Sequence, residues 1–415
     1  MAGIDGVMSF TATGPPSDSA IPSLRKEPAV SMPRIPLRRR HLAAALVLLC
    51  TSTVVAADHA VVPPLSAIAG HAAVDRIAPW HSRFGRTRPL VAIIGNNSGT
   101  ELIDFVVPYG VLMAADAADV VTVAARPGPL TMRPALQLQA QATAREFDAR
   151  YPDGADYVIV PAVVERDDPL LLGWIAAQYR RGASIVSICD GALVVASAGI
   201  SSGHLATAHW ATESLRAQHY PDTQWVKDVR YVADGRVVSS AGISAAMPTS
   251  LALVEAIAGH ARAAAVAHEL GIADWGTQHD SDAFQPRLGV NLGAFAATNY
   301  TNHWLHAMQR VGVPVASGID EIALAITADA YSRTGRSRAY AVAESGQPVT
   351  TRHGLLLLPD RVAGAAPALD VVLPALEQAP SARVFDTVLA AIATRYGRNT
   401  AYGVALDFEY PGFHK

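Results

Sequence analysis

The chain has 415 residues, half of them hydrophobic, with 33 Lys and Arg against 36 Asp and Glu. That length and apolar content suit about two domains with buried cores. The mildly acidic balance disfavours a surface built to hold nucleic-acid phosphates.

The N-terminus reads as a targeting segment. Residues 1–31 are rich in Pro and Ser, and Arg38-Arg39-Arg40 precede an apolar run over 42–50. Small residues follow to Ala57. A basic stretch, an apolar core and a small-residue zone predict a signal peptide over 1–57 and an exported, periplasmic or secreted protein. The alternative is an uncleaved anchor, although its apolar run is short beside the roughly 20 residues of a spanning helix. Met32 is a second candidate start. Loss of 1–57 removes six basic and three acidic residues, leaving 27 against 33 over 358 residues. It also removes Cys50, so Cys189 remains as a lone thiol.

After a Pro/Gly/His-containing lead-in over 58–87, strands and helices alternate. Residues 90–94 read as a buried strand closed by Gly95-Asn96-Asn97, and 101–116 as a helix. Strands follow at 120–124 and 157–160, a helix at 170–180, and a strand at 185–188. Runs at 230–232 and 237–240 flank an Asp-Gly turn and predict a hairpin, and 246–259 reads as a further helix. Continuous apolar strands alternating with helices predict a parallel sheet covered on both faces. The pattern also recurs. Residues 120–125 align with 339–344 at an offset of 219, and Thr131, Arg133, Leu136 and Leu138 match Thr350, Arg352, Leu355 and Leu357. Residues 311–415 therefore read as a second, degenerate half-copy without a cysteine, joined to 88–270 by a connecting segment over 271–310.

Cys189 ends an apolar run and opens a helix-forming stretch, with Gly191 permitting a sharp turn. A thiol at a helix N-terminus is favoured as thiolate, the form that attacks carbon. The alternative is a buried structural cysteine. His303 and His306 lack an acid or thiol to complete a metal set, and Asp280 with Asp282 reads as a turn. No metal or cofactor is expected.

Three runs resemble the DJ-1/PfpI superfamily of class I glutamine-amidotransferase-like folds, over about residues 88–270. They are Glu101-Leu102-Ile103-Asp104 with Pro108-Tyr109, then Ile188-Cys189-Asp190-Gly191-Ala192 with Ala198-Gly199-Ile200, and Ala206-Thr207-Ala208-His209-Trp210 with Ser240-Ala241-Gly242-Ile243. The resemblance is nearest to the sensor-like domain of AraC-type regulators and to isocyanide hydratases, without a helix-turn-helix. It implies a flavodoxin-like fold, Cys189 as nucleophile and Asp104 as its acid, with Glu101 one turn earlier as the rival. His209 is a candidate to orient or deprotonate the thiol, or else caps the sheet edge. Asp190 stands where peptidase-like members carry His, and Ala162 where the family often has the first Gly of Pro-Gly-Gly, whose amides form an oxyanion hole. Two functions follow: Cys-dependent hydrolase, amidase or hydratase chemistry on a small molecule, or non-catalytic ligand sensing. The expected partners are a small molecule and a second copy or internal pseudo-dimer. Nucleic acid is not expected, nor a membrane except through the N-terminal segment.

Overall fold

The computed structural model describes residues 75–376 and 379–414. The targeting segment, Cys50 and most of the lead-in lie outside the described residues.

The first strand, β1 (Leu90–Gly95), is buried along its whole length, as a strand with neighbours on both sides and both faces must be. Helix α1 (Leu102–Ala115) and β2 (Asp119–Ala124) follow, then β3 (Gln137–Gln139), β4 (Ala142–Thr143) and β5 (Tyr157–Val160). Next come α2 (Pro169–Arg180), β6 (Ser184–Ser187), α3 (Gly191–Ser197) and the hairpin β7 (Tyr231–Asp234) with β8 (Val237–Ser240). Two helices close this part, α4 (Ala246–Ala258) and α5 (His260–Leu270). The sheet order is β7-β8-β6-β5-β1-β2-β4. Every pairing is parallel except β7 with β8. This is an α/β fold with a parallel sheet flanked by helices.

Alternation along β1 divides the core between two faces. Val91 and Ile93 pack with residues of α1, α4 and α5. Leu90, Ala92 and Ile94 pack with Phe147, with Leu171, Trp174 and Ile175 of α2, and with Val194 and Val195 of α3.

The chain then builds a second parallel sheet. Its strands are β9 (Gln309–Pro314), β10 (Ser337–Ala343), β12 (Arg361–Val362) and β13 (Val371–Val372), with helix α6 (Glu321–Ser332) between β9 and β10, while β11 (Leu356–Leu358), between β10 and β12 in the chain, joins a separate sheet. The order β12-β10-β9-β13 is the order in which β4-β2-β1-β5 run in the first sheet. After β13 the chain leaves the sheet for two helices, α7 (Arg383–Tyr396) and α8 (Arg398–Asp407).

Two packing contacts among those that join the parts set their register. Helix α6 packs on α1 so closely that a Cβ on Gly110 would fall 2.6 Å from Ile322. Strand β11 pairs antiparallel with β3, setting Leu357 opposite Leu138, and both are buried. Leu357→Ala should therefore cost about 2–5 kcal/mol, the usual range for emptying a Leu site in a core. A urea midpoint equal to that of the wild type would show that this seam carries no stability.

Candidate functional site

The site is assembled where β6 stops. Ile188 N–H donates to Val160 O at 3.0 Å and Gly191 N–H to Ile188 O at 2.9 Å, which folds the chain into an elbow. Cys189, between them, is left at φ +54°. A non-glycine residue there stores about 1–3 kcal/mol of backbone strain, and such strain gathers at functional sites. The Cys189 N–H donates to Ser240 Oγ at 3.3 Å. Gly191 is demanded by contact: a Cβ would lie 2.0 Å from Val160 O.

The acids come from the start of α1, itself buried around most of its circumference. Glu101 caps the helix, its Oε2 accepting from Asp104 N–H at 2.6 Å. Glu101 N–H donates to Ala162 O at 2.8 Å, and Ala162 N–H donates to Asp104 Oδ2 at 3.2 Å. That exchange clamps the segment after β5 to α1. It also engages the Ala162 amide, the expected oxyanion donor, with a carboxyl group. Asp104 is fully buried, and among the described residues its Oδ1 has no partner. Burial pushes the Asp104 carboxyl up to about 8. Burial, then the neighbouring Asp104, pushes Glu101 up to about 8 as well, against the pull of Arg333. Sequence reasoning set these two acids as rivals; the structure links them.

Cys189 is 5 % exposed. Burial, then Asp104, Asp190, Glu101 and Glu409, holds its thiol well above the usual range. The helix it opens, seven residues long, does not offset that, and the thiol is neutral near pH 7. Among the described residues, Sγ is in no hydrogen bond with either acid. Asp190 accepts from Thr212 Oγ1 at 2.7 Å, and burial raises its carboxyl too.

His209 faces elsewhere. Its Nε2–H donates to Asp407 O at 2.9 Å and its Nδ1 accepts from Ala211 N–H at 3.2 Å, so both ring nitrogens are held by main chain. Beside it stands a buried group that sequence reasoning missed. Glu409 accepts from His279 Nε2–H at 2.6 Å and from Trp210 N–H at 3.0 Å. Arg333 was missed as well. It donates to Glu101 Oε1 at 2.9 Å and Asp407 Oδ2 at 2.6 Å, and pairs with Asp329. A basic residue at the end of a helix is an ordinary complement to the helix dipole, so nothing local marked Arg333.

A cleft of about 820 Å³ opens beside the elbow, lined by Glu101, Arg133, Ala162, Asp190, Leu193 and Thr212 among others. It lies past the C-terminal ends of β1, β5 and β6, where ligands of such sheets bind. Cys189 is not part of its wall.

The raised Asp104 carboxyl has a thermodynamic sign. Its folded pKa of about 8 exceeds the unfolded value of about 4. Its stability contribution is complete below the unfolded pKa and is lost as pH rises through the folded one. Asp104→Asn keeps the shape of the neutral acid and cannot ionise. Its melting temperature should gain on the wild type from pH 4 to 8 and the gap should level off above. A gap independent of pH would show that Asp104 ionises freely in the fold.

Residues 90–256 match the model of the DJ-1/PfpI family. Isonitrile hydratase of Pseudomonas putida is 29% identical over 161 residues, 38% of this chain and 67% of that protein. The HTH-type transcriptional regulator CdhR of Pseudomonas aeruginosa is 30% identical over 86 residues, 21% of this chain and 25% of the regulator. The crystal structure of Drosophila melanogaster DJ-1beta covers 45% of this chain and 100% of its own, at 22% identity and a TM-score of 0.41. His279, Arg333, Asp407 and Glu409 all lie beyond the matched residues.

Proposed function

We propose that this chain, whose residues 90–256 form a DJ-1/PfpI family domain, uses Cys189 to add water to a small, uncharged molecule with an electrophilic carbon. The observation that carries the reading is the strained elbow of Cys189 beside Asp104, a fully buried carboxyl with one oxygen unengaged. A neutral thiol and a neutral acid suit an uncharged substrate, because neither buries an uncompensated charge when water leaves.

The similarity to isonitrile hydratase suggests an isocyanide as the probe. The Cys189 sulfur forms a bond to the terminal carbon, and the thiol proton passes to that carbon by way of the Asp104 carboxyl, giving a thioimidate. Water then attacks the same carbon, the C–S bond breaks, the nitrogen gains a proton and the thiol is restored. The net change is addition of one water, which yields a formamide.

The wider reading is of an exported protein. It is supported by the basic and apolar runs before residue 58. The shared strand order and the offset of 219 support an internal duplicate.

A second reading, ligand sensing without turnover, draws on the neutral thiol and on His209, whose nitrogens are held by main chain and offer no base. One experiment separates the two. A small aliphatic isocyanide is incubated with the protein and formamide is followed by NMR. Cys189→Ala should abolish turnover and Asp104→Asn should reduce it roughly 10²-fold or more, the usual worth of a positioned proton donor. Turnover undiminished in Cys189→Ala would overturn the proposal. Binding without turnover in the wild type would leave the sensing reading.

A further inference from the structure

We propose that Arg333 is a positioning residue for the thiol site: standing beyond the family domain, at the end of α6, it fixes Glu101 and through it Asp104, so that the C-terminal part of the chain completes the site. The inference rests on the reading of Cys189 and Asp104 as the working pair.

Glu101 is the joint. One carboxylate oxygen holds the Asp104 N–H at 2.6 Å and the other holds the Arg333 guanidinium at 2.9 Å. A single carboxylate therefore ties the backbone of the acid to a residue more than 200 positions later. Arg333 is itself locked. It pairs with Asp329 one turn earlier on α6 and with Asp407 Oδ2 at 2.6 Å, and it lies over the Phe408 ring. A planar fork held at three points cannot swing, so Glu101 is presented in one orientation. Within residues 90–256 no described cation pairs with Glu101 or Asp104. The groups facing the site are Cys189 and Asp190 at the elbow, Asp329 on α6, Glu409 just past α8 and Arg133 on the cleft wall, while Asp407 faces Arg333. In this mostly acidic company Arg333 draws the pKa values of both Glu101 and Asp104 down.

The test is a double-mutant cycle of Arg333→Met and Glu101→Gln, with Arg333→Lys as the conservative variant. Folding is checked by melting curves, and isocyanide hydration is followed against pH. Arg333→Met should lower kcat roughly tenfold or more through misplacement of the acid, with KM within about twofold. It should also move the alkaline limb to higher pH, because a cation that favours ionised Asp104 is gone. Arg333→Lys should restore the limb. On the Glu101→Gln background Arg333→Met should lower kcat little further, although the limb still rises because Arg333 also acts directly on Asp104. A folded Arg333→Met protein with the wild-type kcat and limb overturns the inference. Should Arg333→Met not fold, Glu101→Gln carries the test: a lowered kcat with a displaced limb supports the inference, and a wild-type profile refutes it. If the wild type hydrates no isocyanide, the hydration reading falls while Arg333 is still tested by iodoacetamide alkylation of Cys189 against pH. Arg333→Met should move the alkylation midpoint and Glu101→Gln should lower it. An unmoved midpoint in folded Arg333→Met refutes the link to the thiol site.

Discussion

The burial of α1 governs the chemistry at the elbow. Surrounded by the first sheet, α4 and α6, the helix leaves Asp104 no solvated face and Glu101 only the narrow edge that meets the cleft. Water screens their charges poorly, so burial raises both carboxyls, and the protein can hold each protonated or pair it. It does both: burial raises Asp104 and Glu101 alike, and Arg333 pairs with Glu101 against that rise. The same lack of water raises the thiol. An exposed α1 with the same residues would yield ionised acids, a more acidic thiol and a different reactivity.

The parts of the sequence that carried signal were those whose physics is local. Leu90 to Ile94 read as a buried parallel strand because only such a strand is apolar on both faces, and β1 is buried throughout. The elbow was legible because an apolar run meeting a glycine at Gly191 leaves few conformations, and the Gly191 contact with Val160 shows why no larger residue fits. Glu101 and Asp104 were visible as a spacing on one helix. What a spacing could not show was that they act in series, one capping the backbone of the other. The state of Cys189 was not legible either. A helix terminus lowers a thiol pKa and burial among acids raises it, and only the packing decides which is larger. Arg333, Asp407 and Glu409 left no local mark, because their meaning lies in tertiary contacts made across 74 to 232 residues.

Buried ion pairs of this kind are poor investments in stability, since removing two charges from water costs about as much as their attraction returns. An apolar pair would have joined α1 to α6 as well, and Leu138 against Leu357 shows the chain doing that elsewhere along the same seam. The acids around Arg333 therefore need a reason other than cohesion. Position supplies one: Glu101 caps the backbone of Asp104 at the start of α1, and the arginine that pairs with it comes from the part of the chain the family model does not match. A domain able to bury its own acids in neutral form would have no use for that arginine. Its presence, held by three carboxylates at a fixed angle, indicates that orientation of the acids, rather than their neutralisation alone, is what the second half of the chain contributes to the first.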